Sequence, residues 1–321
     1  MAAFKTIVFL LVGFVLLLKG ADFFVDGSSA VAKKLKVPSL IIGLTIVAMG
    51  TSLPELAVSV TASVSGNNAL SVSNVVGSNL FNLMVVLGAS ALMNPIIVAK
   101  DTIKKDYPFS VACAIGLLIM GAIGMELGRV DGIILFVVFV GFITYQVRAG
   151  LKSRKDALAA GGPVDDDDEE IKDIPTVLAI VYIIGGAVAI KFGGDFVVDS
   201  AVTIASALGL SQTLIGLTIV ACGTSLPELA TSVVAAKKNE LDMAVGNVVG
   251  SNVFNILMIL GVAASISPIT FLMENIIDIC IFLGFSLLTY LFCRTKNVLS
   301  KKEGIAMLVL YAIYLVYICI R

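Results

Sequence analysis

Apolar residues run along this chain in long blocks rather than in alternation. Ten blocks can be drawn, at approximately 4–26, 38–65, 69–93, 106–126, 129–148, 175–199, 211–236, 241–265, 270–293 and 303–320. Each is long enough to cross a bilayer as a helix, because a span takes roughly 20 residues at a rise of 1.5 Å per residue. Backbone amides and carbonyls in lipid must bond to one another. Blocks of this length meet that demand as helices, whereas barrel strands need only about 10 residues each. The pattern predicts an all-α integral membrane protein with ten transmembrane helices.

The blocks are not independent. A shift of 173 residues lays one half of the chain on the other. Ile42–Ala48 is identical to Ile215–Ala221, Gly50–Ala57 to Gly223–Ala230, and Asn74–Asn79 to Asn247–Asn252. The shift also carries Asp22 onto Asp195 and Asp26 onto Asp199. The apolar N-terminus from Phe4 to Leu18 resembles a signal peptide. It has no small-residue cleavage site behind it and aligns with the sixth block, so it belongs to the fold. The organisation expected is a first five-helix repeat at 1–148, a linker at 149–174 and a second five-helix repeat at 175–321. Five is odd, so a chain that alternates across the membrane must invert its second repeat.

Charge sharpens this. The segments after spans 1, 3, 5, 7 and 9 hold 17 of the 22 lysines and arginines, while the other side holds only Lys5, Arg129 and Arg321. Positive loops stay in the cytoplasm, so both termini are expected outside and the 149–174 linker inside, with the protein multi-pass in the cell membrane. The linker contains AAGGPVDDDDEE, a like-charge block that repels itself and is expected to be a solvated connection. It lacks the glycine and ligand spacing of a calcium-binding EF-hand loop. With 58% hydrophobic and 14% charged residues, the chain has no room for a large soluble domain. The five cysteines lie in or beside apolar runs with no CxxC, and read as small core residues rather than a disulfide frame. Histidine is absent, which removes the commonest transition-metal ligand.

Two motifs carry chemistry. Spans 2 and 7 each contain Gly-Thr-Ser-Leu-Pro-Glu about 12 residues in, near the bilayer midplane. Proline has no N–H and suits the first turn of a new helix. Each span therefore reads as two half-helices, broken at Gly50-Thr51-Ser52 and at Gly223-Thr224-Ser225. Such a break is tolerated at this depth only where it lines a cavity or packs in protein. It would free the carbonyls of Ala48, Thr51, Ala221 and Thr224 toward a cation, and broken helices at matching positions of two halves point to a transport site. Glu55 and Glu228 follow in the first turn of each second half-helix. A midplane carboxylate costs on the order of 2.5–3.5 kcal/mol on insertion scales, so a duplicated pair argues for a purpose beyond packing. Spans 3 and 8 add Gly-Ser-Asn-x-Phe-Asn. Ser78 and Asn82 share a helix face four residues apart, as do Ser251 and Asn255. Helix packing through small and amide residues is the bland reading of this second motif. The donors are all hard oxygens, which suit calcium at 6–8 ligands and also sodium. Two carboxylates neutralise one divalent cation.

These motifs resemble the sodium/calcium exchanger family, within the cation/calcium antiporters, over essentially the whole chain. The resemblance implies a Na⁺/Ca²⁺ antiporter working by alternating access, electrogenic, and not an enzyme. It implies calcium ligation by the Glu55 and Glu228 carboxylates and the Thr51 and Thr224 carbonyls. Sodium would be held by Ser52, Ser78, Ser225 and Ser251 and by the Ala48 and Ala221 carbonyls, with Asn82 and Asn255 as polar groups of the central site. Spans 1 and 6 would slide against the other eight. Asparagine at 255, where potassium-dependent members carry aspartate, implies potassium independence. The large cytoplasmic regulatory loop of animal members is absent, as in prokaryotic members. The partners implied are lipid, calcium and sodium, with no cofactor, no nucleic acid and no obligate protein partner. Three other readings stay open on the residues alone. Buried glutamates can carry protons, giving a proton-coupled Ca²⁺ antiporter. A channel would need a continuous, weakly binding pore. Asp22 and Asp195, with Lys19 and Lys191 nearby, could form an intramembrane aspartyl protease dyad, or could be structural or gating acids.

Overall fold

The computed structural model describes residues 2–65, 69–160, 174–209 and 221–320. Helix dominates. In chain order it comprises α1 (Ala2–Leu35), α2 (Ser39–Ile42), a π-helical turn at Gly43–Val47, α3 (Ala48–Thr51) and α4 (Leu53–Val64). Then come α5 (Ala69–Phe81), a π turn at Asn82–Val86, α6 (Leu87–Met93), a π turn at Thr102–Asp106, α7 (Tyr107–Ala122) and α8 (Arg129–Ala160). The second half has α9 (Thr176–Ala207), α10 (Ala221–Gly223), α11 (Leu226–Lys237), α12 (Leu241–Phe254), a π turn at Asn255–Ile259, α13 (Leu260–Ile266), α14 (Met273–Lys296) and α15 (Lys301–Ile320).

Among the described residues seven helices are long and apolar enough to span a membrane, and α2–α4 makes an eighth as a span bent by 48°. The fourth expected span falls short because its α-helix, α7, has 16 residues beyond the π turn. The seventh is described only from Ala221, so its first part lies outside the described residues. Three boundaries differ from the sequence reading. Helix α1 continues past residue 26 to Leu35, α8 past 148 to Ala160 and α9 past 199 to Ala207. None of these extensions contains a proline to stop it. The first twelve residues of the expected linker are thus helical, and the DDDDEE block lies outside the described residues.

The halves interlock through contacts that the 173-residue shift exchanges. Strand β1 (Ile96–Ile97) pairs antiparallel with β4 (Val298–Leu299), and β2 (Glu126–Leu127) with β3 (Ile269–Thr270). The shift carries Ile96 to Ile269 and Glu126 to Leu299, so each clip is the image of the other and each joins both halves. Glycine pairs do the same for helices: Gly88 of α6 meets Gly304 of α15, and Gly132 of α8 meets Gly261 of α13, each closely enough that a Cβ would sit within about 3 Å of the facing carbonyl. The main core gathers α5–α8 and α12–α15 around Leu80, Met84, Leu117, Val253, Leu257 and Phe271.

Helices α1 and α9 pack mainly on each other, antiparallel. Their seam is three small-residue steps: Gly13 on Gly193, Gly20 on Gly186 and Gly27 on Ala179. Each step is seven residues, two helical turns, so one narrow face of each helix meets the other. Of the four glycines in the middle of α9, Gly186 and Gly193 lie in this seam, Gly194 faces Pro227 of α11, and Gly185 faces open space. At this register Asp22 and Asp195 stand about eleven residues apart along the seam, roughly 16 Å at 1.5 Å per residue. They cannot share a proton or a water as a protease dyad. Asp22 instead pairs with Lys19 at 3.5 Å, and Asp195 with Lys191. Cys113 and Cys293 are buried as expected, whereas Cys280 and Cys319 are exposed; all five are free thiols.

Candidate cation site

The first broken span turns on one serine and the second on Thr224 and Ser225. Ser52 leaves the α region (φ −85°, ψ 11°) between α3 and α4, and Ser225 does the same (φ −91°, ψ 8°) ahead of α11. Leu-Pro-Glu follows at once in both. The proline cannot return an N–H to the preceding turn, and it seeds the new helix with its fixed φ. The break is tighter than expected: Gly50 and Thr51 remain helical, as does Gly223. Consequently the Ala48 carbonyl is not freed, since it accepts the Ser52 amide at 3.1 Å. The Thr51 hydroxyl lies 3.3 Å from the same carbonyl and competes for its second lone pair. Ala221 opens α10 at the corresponding position.

The two breaks meet. Glu55 and Glu228 are both fully buried. Ser52 donates to Glu228 Oε1 at 2.7 Å, and Ser225 donates to Glu55 Oε1 at 3.2 Å. These reciprocal bonds cross between the halves, so each carboxylate is held by the break of the other span. Ser78, on α5, donates a further bond to Glu55 Oε1 at 3.4 Å. Both Oε2 atoms have no hydrogen-bond partner, and neither do the Thr224 and Ser251 hydroxyls. Two desolvated carboxylates this closely linked cost several kcal/mol each unless a cation or protons compensate them. Unpartnered, buried oxygens of both glutamates and of adjoining hydroxyls form a donor set that fits a hard cation.

Asn82 and Asn255 each open a π turn, at Asn82–Val86 and Asn255–Ile259. A π turn adds a residue to one helical turn and re-aims the side chains around it, and such turns are frequent at functional sites. Here the two halves part company. Asn255 donates to Asn79 Oδ1 at 3.0 Å and Asn79 donates to the Asn252 carbonyl at 3.2 Å. Asn82 is buried with neither its oxygen nor its nitrogen partnered.

The structure brings together Glu55, Glu228, Ser52, Ser225 and Ser78 by direct hydrogen bonds. The Thr51 hydroxyl has three acceptors in reach of its one proton: Asn247 Oδ1 and the Val47 carbonyl at 3.2 Å each and the Ala48 carbonyl at 3.3 Å. Sequence reasoning missed Asn74 and Asn247. Asn74 donates to the Glu55 carbonyl at 3.4 Å and to Ser59 at 3.1 Å. Asn247 donates to the Glu228 carbonyl at 3.4 Å and to Ser232 at 2.9 Å. The signal was present: Asn74, Ser78 and Asn82 lie at i, i+4 and i+8, on one helix face.

A bundle of apolar helices around two buried carboxylates at paired helix breaks defines a membrane transporter of cations. The comparisons with known proteins agree. The family model for the sodium/calcium exchanger protein matches residues 5–148 and 178–320. The solved sodium-calcium exchanger NCX_Mj, soaked without Na⁺ and Ca²⁺, superposes with a TM-score of 0.83 at 33% identity, covering 98% of each chain. The sodium/calcium exchanger MaX1 of Methanosarcina acetivorans is 32% identical over 344 residues, 96% of each chain. The inner membrane protein YrbG of Escherichia coli is 34% identical over 268 residues, 81% of this chain and 79% of that one. This chain belongs to the sodium/calcium exchanger family.

Proposed function

We propose that this protein exchanges Na⁺ for Ca²⁺ across the cell membrane by alternating access, electrogenically and without potassium. The observation that carries the reading is the reciprocal serine–glutamate pairing, which leaves one unpartnered oxygen on each of two fully buried carboxylates. Glu55 and Glu228, with the Thr51 and Thr224 carbonyls, hold calcium. The hydroxyls of Ser52, Ser78, Ser225 and Ser251 and the carbonyls of Ala48 and Ala221 hold sodium on either side, with Asn82 and Asn255 completing the centre. Sodium and calcium compete because the glutamates serve both: several Na⁺ neutralise the pair as one Ca²⁺ does. Ten helices in two inverted repeats put this centre on a pseudo-twofold axis, with both termini outside and 149–174 in the cytoplasm. The exchanged strand clips and glycine crossings support that arrangement.

The test is radiolabelled calcium uptake into proteoliposomes under an outward sodium or an outward proton gradient. Uptake is expected with sodium alone, unaffected by potassium in the sodium medium, and accelerated by an inside-positive potential if more than two Na⁺ leave per Ca²⁺ entering. Glu55→Gln is expected to abolish it. Uptake on the proton gradient without sodium would transfer the protein to proton coupling and remove the serines as sodium ligands.

A further inference from the structure

Two asparagines that touch neither carboxylate hold the geometry of both. Asn247 is fully buried on α12. Its amide nitrogen donates to the Glu228 main-chain carbonyl and to the Ser232 hydroxyl, both on α11. Donation to a carbonyl fixes which end of the amide is nitrogen. The Oδ1 end is therefore turned to Thr51, at 3.2 Å from its hydroxyl, and Thr51 belongs to the opposite half. A single side chain thus ties the first turn carrying one glutamate to the break that carries the other. The same α12 face continues through Ser251 and Asn255 at i+4 and i+8, so a shift of α11 on α12 changes the distance from Glu228 to those donors. Asn74 repeats only the near half of the clamp, on the Glu55 carbonyl and Ser59; the opposite Thr224 hydroxyl is unpartnered, so the tie across the halves belongs to Asn247.

We infer that Asn247 and Asn74 are positioning residues which set the size of the cation cage, and with it the preference among divalent cations. This rests on the proposed exchange at the same site. A hard divalent ion is selected by ligand number and by how far the oxygens can relax around it. With the clamp in place, the glutamate and the opposite threonine cannot spread to suit a larger ion. Without it, the cage relaxes.

The experiment is sodium-driven uptake of Ca²⁺ and of Sr²⁺ by the full chain in proteoliposomes, for wild type, Asn247→Ala, Thr51→Val and the double variant. Asn247→Ala is expected to raise the KM for Ca²⁺ roughly tenfold, as is typical when a residue that orients a metal ligand is lost. Maximal rate should change far less, and the Ca²⁺ over Sr²⁺ preference should fall. Thr51→Val should add little in the Asn247→Ala background, because the bond it removes is already gone. Asn247→Ser, which shortens the side chain but keeps a polar group, carries the same expectation should the alanine variant not fold. A drop in rate or in folded yield with KM and cation preference unchanged would overturn the inference, leaving the asparagine a packing residue. If wild type takes up Ca²⁺ on protons instead of sodium, the sodium reading fails alone, and the same KM and Sr²⁺ contrast on that flux decides the asparagines.

Discussion

At the scale of the residue, the site is governed by the need to satisfy buried oxygens. Ser52 gives Glu228 its shorter hydroxyl bond, 2.7 Å against 3.2 Å from Ser225 to Glu55. Removing the donor strands a carboxylate oxygen in a dry site, a penalty of about 1–3 kcal/mol. Ser52→Ala is expected to raise the sodium concentration for half-maximal calcium efflux roughly tenfold, and Ser225→Ala less. Sodium titration of efflux from loaded proteoliposomes checks both. The paired glutamates and the serines beside them were legible in the sequence, because duplication and the Pro–Glu break mark them. Asn82 and Asn255 were legible as a pair but not as unequal partners. Their difference arises from Asn79, which accepts from Asn255 and donates to the Asn252 carbonyl, a contact between residues far apart in the chain.

At the scale of the element, the α1–α9 seam depends on missing side chains. A Cβ on Gly20 would come within 2.8 Å of the Ile190 amide and 2.9 Å of the Gly186 carbonyl, both of them backbone that cannot rotate away. Gly20→Ala is expected to destabilise the protein by about 1–3 kcal/mol through overpacking. Gly185→Ala meets open space and should hold or raise stability, since alanine favours helix by roughly 1 kcal/mol over glycine. Thermal unfolding of the two variants in detergent separates them, and equal shifts would show that the seam tolerates a methyl. From composition alone all these glycines looked alike. The facing helix distinguishes them.

At the scale of the whole molecule, two halves alike in motif are unlike in packing. Helix α1 lies along α11, while among the described residues α9 barely touches α4, whose Leu53, Val58 and Val64 stay exposed. The α1–α11 side is also pinned by charge. Lys238 reaches Asp26 at 2.6 Å and the Asp22 carboxylate at 3.4 Å, and the shift maps Lys238 onto Ser65, which carries no charge. In the proposed orientation Lys238 lies toward the cytoplasmic side, where it holds α1 against the end of α11. A partly buried ion pair of this kind, its side chains 28% and 16% exposed, contributes about 1 kcal/mol, a factor of about five in a two-state balance. Lys238→Ala is expected to shift the balance between docked and undocked α1 on α11 toward undocked by up to that factor. Hydrogen exchange in the second half of α1, faster in the variant, is the readout. Unchanged exchange would make the pair a surface contact without influence on docking.

The sequence by itself determined the helical class, the two repeats, the breaks at Gly-Thr-Ser-Leu-Pro-Glu and the identity of the buried acids. Those follow from local rules: span length in lipid, the missing N–H of proline, and the cost of a carboxylate away from water. Only the tertiary structure decided which serine serves which glutamate, that the break narrows to a single serine in the first half, that Asn74 and Asn247 brace the site, and that α1 rather than α9 covers its neighbour. The serine–glutamate bonds and the Asn247–Thr51 contact join segments about half the chain apart, the asparagine bonds to the glutamate turns cross between neighbouring helices, and the cover by α1 depends on a helix height that no local pattern records. Identical motifs cannot specify an unequal arrangement. The inequality comes from packing, in which α1 lies along α11 while α9 leaves α4 largely uncovered among the described residues.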